Sequence, residues 1–255
     1  IDNPSSKYDA AGSAGVINIK TKKNRAGGLN GRVNSSISQG RYNRQSHTVS
    51  LNPYSGKVNL FATASMNVNK NFSDLYAFRN YFDATETTII SKLEQPSLFV
   101  GKLFSQNIKA GLDYFISPRT TLGIVLAGTH YSRKSSGNNT AVWMDAAEQI
   151  DSTIVTVTRN REELRSGAAN FNAQHRISDS QEFTADLDFL GYRIGNDQQF
   201  SNTLTSPVGY TENIRGHIPS AINIVTAKAD YSQKLSNSLR FESGWKSSYV
   251  ATNNK

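Results

Sequence analysis

Val58-Asn59-Leu60-Phe61-Ala62-Thr63-Ala64-Ser65-Met66-Asn67-Val68-Asn69 is the stretch that decides the fold class. In an extended chain, successive side chains point to opposite faces. Val58, Leu60, Ala62, Ala64, Met66 and Val68 therefore share one face, while Asn59, Thr63, Ser65, Asn67 and Asn69 share the other. One side is apolar over about eleven residues, the length that a tilted strand needs to cross hydrocarbon.

The period of two recurs along the chain and helix-type spacing is scarce. Ile108, Ala110, Leu112, Tyr114 and Ile116 alternate with Asn107, Lys109, Gly111 and Asp113, and Leu122, Ile124 and Leu126 lead into His130. Phe183, Ala185, Leu187 and Phe189 oppose Glu182, Thr184, Asp186 and Asp188. Val225, Ala227, Ala229 and Tyr231 oppose Thr226, Lys228 and Asp230, then Leu239, Phe241 and Trp245 oppose Arg240, Glu242 and Lys246. Weaker versions run over 29–38, 47–52 and 169–177. All six prolines read as lying outside strands, because a ladder needs every N–H. Short connections fall at 53–56, 117–120, 178–181 and 234–238. Long polar ones, at 71–106, 132–165 and 195–220, are expected to be loops. Tight turns on one rim and long loops on the other is the asymmetry of outer-membrane barrels.

Composition agrees. The chain has 255 residues, with 28 Lys and Arg against 20 Asp and Glu for a formal net charge of +8. Only 37% of residues are hydrophobic, yet 10% are aromatic, too many for a disordered chain. The best apolar run, Leu122–Gly128, is far short of the 18 to 20 residues a membrane-spanning helix requires. Cysteine is absent, which removes disulfides, Cys-based metal sites and thiol nucleophiles. A soluble antiparallel sheet also alternates. Three features favour the membrane: the length of the apolar rows, the charges on the opposite face, and aromatics near strand ends (Phe72, Tyr114, Phe115, Tyr131, Tyr192, Tyr231, Tyr249).

The opening segment, Asn3-Pro4-Ser5-Ser6-Lys7-Tyr8-Asp9-Ala10-Ala11-Gly12-Ser13-Ala14-Gly15-Val16-Ile17-Asn18-Ile19-Lys20-Thr21-Lys22-Lys23, resembles the end of the plug domain in TonB-dependent outer-membrane receptors of the Bacteroidetes type. Gly27-Gly28-Leu29-Asn30-Gly31 is similar to the crossing from plug to barrel, and the stretch 113–123 to a periplasmic hairpin of that group. The resemblance implies two regions, the end of a plug at 1–26 and the first part of a transmembrane β-barrel at 27–255. The fold class expected is all-β: an antiparallel barrel wall of about nine strands, an open curved sheet if isolated, in a chain read as a fragment. Family members import scarce, bulky nutrients such as siderophores, glycans or peptides across the outer membrane of Gram-negative bacteria. Implied partners are the TonB energy-transducing complex, outer-membrane lipid and lipopolysaccharide, the nutrient ligand, and a surface lipoprotein. The alternatives are a non-transporting outer-membrane barrel and a secreted soluble β-sandwich that binds glycans.

No enzymatic activity, cofactor or metal is expected. Tyr76, Phe78, Tyr81, Phe82 and Trp143, with Met144 beside it, lie in the long connections and are the candidate substrate contacts. Asp113, Asp186, Asp188, Lys228, Asp230, Arg240 and Glu242 are expected to hydrate the barrel interior. Asp186 and Asp188 lack the third ligand or base that would complete a site. His47, His130, His175 and His217 show no metal-ligand spacing, and Gly12-Ser13-Ala14-Gly15 lacks the Lys-Ser/Thr of a phosphate loop. The cations read as dispersed, which argues against nucleic acid and leaves loop and rim cations to face lipopolysaccharide.

Overall fold

The computed structural model describes residues 27–206, 209–236 and 239–254. The expected end of a plug, 1–26, lies outside the described residues. The strands are β1 (Gly28–Gln39), β2 (Asn43–Ser55), β3 (Val58–Phe82), β4 (Ile89–Ser117), β5 (Thr120–Asp145), β6 (Ile150–Arg176), β7 (Gln181–Ser206), β8 (Thr211–Lys234) and β9 (Arg240–Asn253). They form a single antiparallel sheet in sequence order, an open meander with β1 and β9 at its edges. The three weak sequence signals are all strands, β1, β2 and the end of β6.

Directly paired residues share a face, so the register draws rows across the sheet. One row runs Leu60, Leu112, Ile124, Phe171, Leu187, Ala227. One residue away, on the opposite face, runs Asn59, Asp113, Gly123, Asn172, Asp186, Lys228, Lys246. From the short-turn rim through Val68, Phe104, Gly128, Gly167 and Gly191, no Asp, Glu, Lys or Arg falls on the apolar face. The register thus preserves the alternation from strand to strand, because a one-residue slip would turn the whole apolar set over.

The burial is inverted relative to a water-soluble domain. Leu93 is the single buried hydrophobic side chain among the described residues, whereas Leu126, Phe171, Leu187 and Phe189 are exposed. Along β6 the polar-face residues from Asn160 to Gln174 are all half-buried, while Arg165, Gly167, Phe171 and His175 on the other face are exposed. With nothing packed on either side, that asymmetry marks the polar face as concave, where side chains crowd and shield one another. The described residues form a single sheet, so no second layer of the kind a β-sandwich requires covers the apolar rows.

Three expectations need correction. First, the long connections are not loops. β3 to β8 run on beyond the apolar belt as paired ladders, and the connections shrink to 83–88, 146–149 and 207–210. Paired backbone satisfies its own hydrogen bonds in water as well as in lipid, so the polar sequence there reflects water on both faces rather than loss of strand. Second, Pro53, Pro96 and Pro219 lie within strands. At Pro53 the β2–β3 ladder skips from Leu51 to Tyr54, and the Asn52 side-chain amide bridges the gap by donating to the Leu60 carbonyl (2.6 Å) and to Asn59 Oδ1 (3.0 Å). At Pro96 the β4–β5 ladder skips from Glu94 to Ser97, and Asn139 bridges by accepting from Gln95 (3.2 Å) and donating to Ser97 Oγ (2.5 Å). Pro219 lies beyond Ala221, the last β8 residue that pairs with β9. Third, of the aromatics read as an interfacial girdle, Phe115, Tyr131 and Tyr192 fall on the polar face, because strand parity rather than nearness to a strand end sets the side.

Candidate functional site

The strand extensions carry the candidate site. Two of their tips are built alike. In Asp83-Ala84-Thr85-Glu86 and Asp145-Ala146-Ala147-Glu148 the Asp carbonyl accepts from the Glu N–H at 3.0 and 3.1 Å, and each Glu has positive φ, 57° and 63°. The Asp carboxylate takes further backbone donors, Thr87 N–H (3.1 Å) at one tip and Ala147 and Gln149 N–H (2.8 and 2.9 Å) at the other. These Asx-type contacts suit a tight turn. The Thr85 hydroxyl and the Thr88 N–H hold Asp83 below the usual carboxylate range. At the second tip Lys92 Nζ donates to Glu148 Oε1 (2.5 Å), which lowers Glu148 in the same way. The repeated Asp-Ala-x-Glu was the available signal for these turns, and the sequence reading passed over it.

Of the five candidate substrate contacts, the structure brings two together. Tyr81 and Trp143 stack with centroids 5.2 Å apart and planes at 29°. Both lie on the concave-face side, where Leu93, paired with Trp143, is buried. Tyr76 and Phe78 point from the other face, and Tyr76 donates its hydroxyl to Glu94 there. Phe82 sits at the tip beside a register irregularity. Below the stacked pair, one concave-face row reads Ser97, Asn139, Thr156, Asn202, Glu212. Its side chains are linked in two runs, Asn139 to Ser97 and Thr156 to Asn202 (2.9 Å) to Glu212 (3.4 Å). An aromatic platform thus stands above a strip of amides and hydroxyls.

Nearer the short turns the concave face is a polar network. Asn59 donates to Asp113 (3.1 Å), Asn172 to Asn170 (2.9 Å) and Asn170 to Asp188 (2.7 Å), and Lys228 pairs with Asp230 at 3.3 Å. All seven residues expected to line an interior lie on this face. Asp230 is 5% exposed, and its Oδ1, like Oδ1 of Asn69 and Asn160, is buried without a protein partner. No group of three or more His, Asp or Glu among the described residues is arranged to hold a metal ion.

On the apolar-face side, beyond the belt, the register gathers cations that the sequence leaves apart. Lys70, Lys102, Lys134 and Arg161 are consecutive cross-strand neighbours in one row, which Asp197 and His217, hydrogen-bonded to each other at 2.5 Å, close. Arg165 and Arg193 are direct neighbours nearer the belt, and the row beyond contains Arg159 and Arg215. The reading of the cations as dispersed is therefore corrected: sequence separation hid a band that antiparallel pairing assembles.

A sheet with a charge-free apolar belt, a hydrogen-bonded concave face and ladders outrunning the belt is built as the wall of a transmembrane β-barrel. Residues 175–255, which include β7 to β9, match the model of an outer membrane protein beta-barrel family. That match points to an outer-membrane location. No curated protein matches the chain.

Proposed function

We propose that this chain is the plug-to-barrel junction and early barrel wall of a TonB-dependent outer-membrane receptor that imports a bulky, scarce nutrient. The observation that carries the reading is a juxtaposition. The plug-like segment 3–23 directly precedes a meander whose concave face is hydrogen-bonding rather than greasy. Unpaired backbone in hydrocarbon costs several kcal/mol per group, so β1 and β9 find further strands in the closed barrel. A lumen wall of amides and carboxylates, including the orphaned Oδ1 atoms of Asp230, Asn69 and Asn160, suits a polar occupant whose contacts exchange for water when it moves. A dry interface would have no such exchange. The extensions, with the Tyr81–Trp143 platform above amide-bearing strands, supply the outer surface that first meets the nutrient.

The test uses the full-length receptor in its own outer membrane. Photo-crosslinking residues placed at Asn172, Asp186 or Thr226 should capture peptides from 1–26, and those placed at Ile124, Phe171 or Leu187 should capture lipid. Nutrient uptake should stop when TonB is deleted. Crosslinks from Asn172 to lipid, or uptake that survives without TonB, would overturn the proposal.

A further inference from the structure

The two faces of the strand extensions differ sharply in charge. On the outer side the strands carry Lys70, Lys102, Lys134, Arg159, Arg161 and Arg215. On the concave side, three successive rows across β4 to β8 are almost uncharged. The first is Ser97, Asn139, Thr156, Asn202, Glu212, the second Phe99, Gly137, Thr158, Phe200, Ile214, and the third Gly101, Ser135, Asn160, Gln198, Gly216. Glu212, at the β8 end, is the one ionisable side chain in them. Two rows of amides and hydroxyls thus flank a row with two Phe rings. A Cβ at Gly137 would lie 2.5 Å from the Phe99 ring, so that ring lies across bare backbone, and Phe99 is still 39% exposed. Tyr81 and Trp143 stand farther out on the same side.

Different nutrients need different partners from such a surface. A ferric siderophore complex with net negative charge needs cations, and these rows hold none. A peptide held by its backbone needs a free strand edge, and β3 to β8 are paired on both sides. An uncharged sugar needs what is present. Its hydroxyls both donate and accept, as amide and hydroxyl side chains do, and the C–H face of its ring packs on aromatic rings. Asn160 Oδ1, buried without a protein partner, is an acceptor still open. Trp143 and Asn139 are four residues apart on one face, about 13 Å, and the Ser97–Glu212 row spans four interstrand steps, about 19 Å. Contacts so far apart engage several rings of one sugar chain.

We propose that the concave face of the extensions is a binding site for an uncharged oligosaccharide. The Tyr81–Trp143 pair stacks against one sugar ring, and Asn160, Gln198 and Asn202 hydrogen-bond the hydroxyls of others. Sulfated and uronate-bearing sugars are rejected, because no cation in the three rows meets their charge and Glu212 repels it. This names the substrate class of the receptor proposed above and rests on that reading.

The experiment uses the full-length protein in detergent, with calorimetric binding of four probes: the neutral hexasaccharides of glucan, mannan, xylan and galactan. At least one should bind, and the matching monosaccharide should bind at least tenfold more weakly. Its sulfated form, a ferric siderophore and an oligoalanine peptide should fail to displace it. Trp143→Ala and the pair Asn160→Ala/Asn202→Ala should each lose at least tenfold, Trp143→Phe should stay within threefold, and Lys102→Gln/Arg161→Gln on the outer side should lose less than twofold. The gel shift between folded and boiled barrel checks each variant's fold. Binding by none of the four hexasaccharides, displacement by the sulfated sugar, siderophore or peptide, or undiminished binding by both folded concave-face variants would each overturn the proposal. Any of these alongside TonB-dependent uptake overturns the sugar and leaves the importer, whereas sugar binding with uptake that survives loss of TonB overturns the importer and leaves the site.

Discussion

Leu187 offers the sharpest check on which face meets lipid. It lies midway along the apolar row Phe183, Ala185, Leu187, Phe189, Gly191 of β7, with Phe171 and Ala227 as its cross-strand neighbours. Four residues separate it from either end, about 13 Å along the strand and so about 9 to 10 Å in depth at barrel tilt, which places it at the bilayer midplane. Leu187→Lys should therefore cost about 2 to 4 kcal/mol, the midplane price of a lysine on a lipid face. The paired control is Thr226→Lys. Thr226 lies on the concave face opposite Asp188, so the new ammonium meets water and a carboxylate, and the change should stay below about 1 kcal/mol. Urea unfolding of the full-length protein in lipid vesicles, followed by tryptophan fluorescence, measures both. Equal costs for the two substitutions would refute the assignment of faces, and a Thr226→Lys penalty larger than that of Leu187→Lys would reverse it.

Other outcomes follow from the same geometry. A Cβ at Gly111 would overlap the Phe61 ring, with Cε2 and Cε1 at 2.7 and 2.8 Å. Gly111→Ala should accordingly destabilise by about 1 to 3 kcal/mol, and a Phe61→Ala background should remove most of that penalty in a double-mutant unfolding cycle. Asp83 is depressed by its hydrogen bonds, so its turn is stabilised above the unfolded-state pKa and loses that support as pH falls through the lower folded value. Hydrogen exchange at Thr87 and Thr88, corrected for intrinsic rates, should accelerate across that acid window, and Asp83→Asn should flatten the response. Trp143→Ala, which removes a stack worth about 0.5 to 1.5 kcal/mol, should raise the half-saturation concentration for nutrient uptake, while Phe78→Ala on the opposite face should leave it unchanged.

How much was legible depended on contrast between the two faces. In the belt, hydrocarbon on one side and water on the other force every second residue to differ, so Val58 to Val68, Ile108 to Tyr114 and Phe183 to Phe189 announced both strand and side. In the extensions, both faces are wet and alternation carries no penalty, so residues 71–106 and 132–165 looked like loops although they pair as ladders. The candidate contacts suffered from the same blindness. Tyr81 and Phe78 are three residues apart in sequence but differ in parity, and only the fold puts one against Trp143 and the other on the far side.

By itself, the sequence determined the class of structure, the greasy side of each strand and the positions of the short turns, because these are set by near-neighbour chemistry with a period of two. The tertiary structure alone decided register. Cross-strand pairing joins residues about thirty apart, as it joins Lys70 to Lys102, Lys102 to Lys134 and Lys134 to Arg161, and no local pattern encodes that coincidence. A row of charges forms only when non-local hydrogen bonds bring its members side by side.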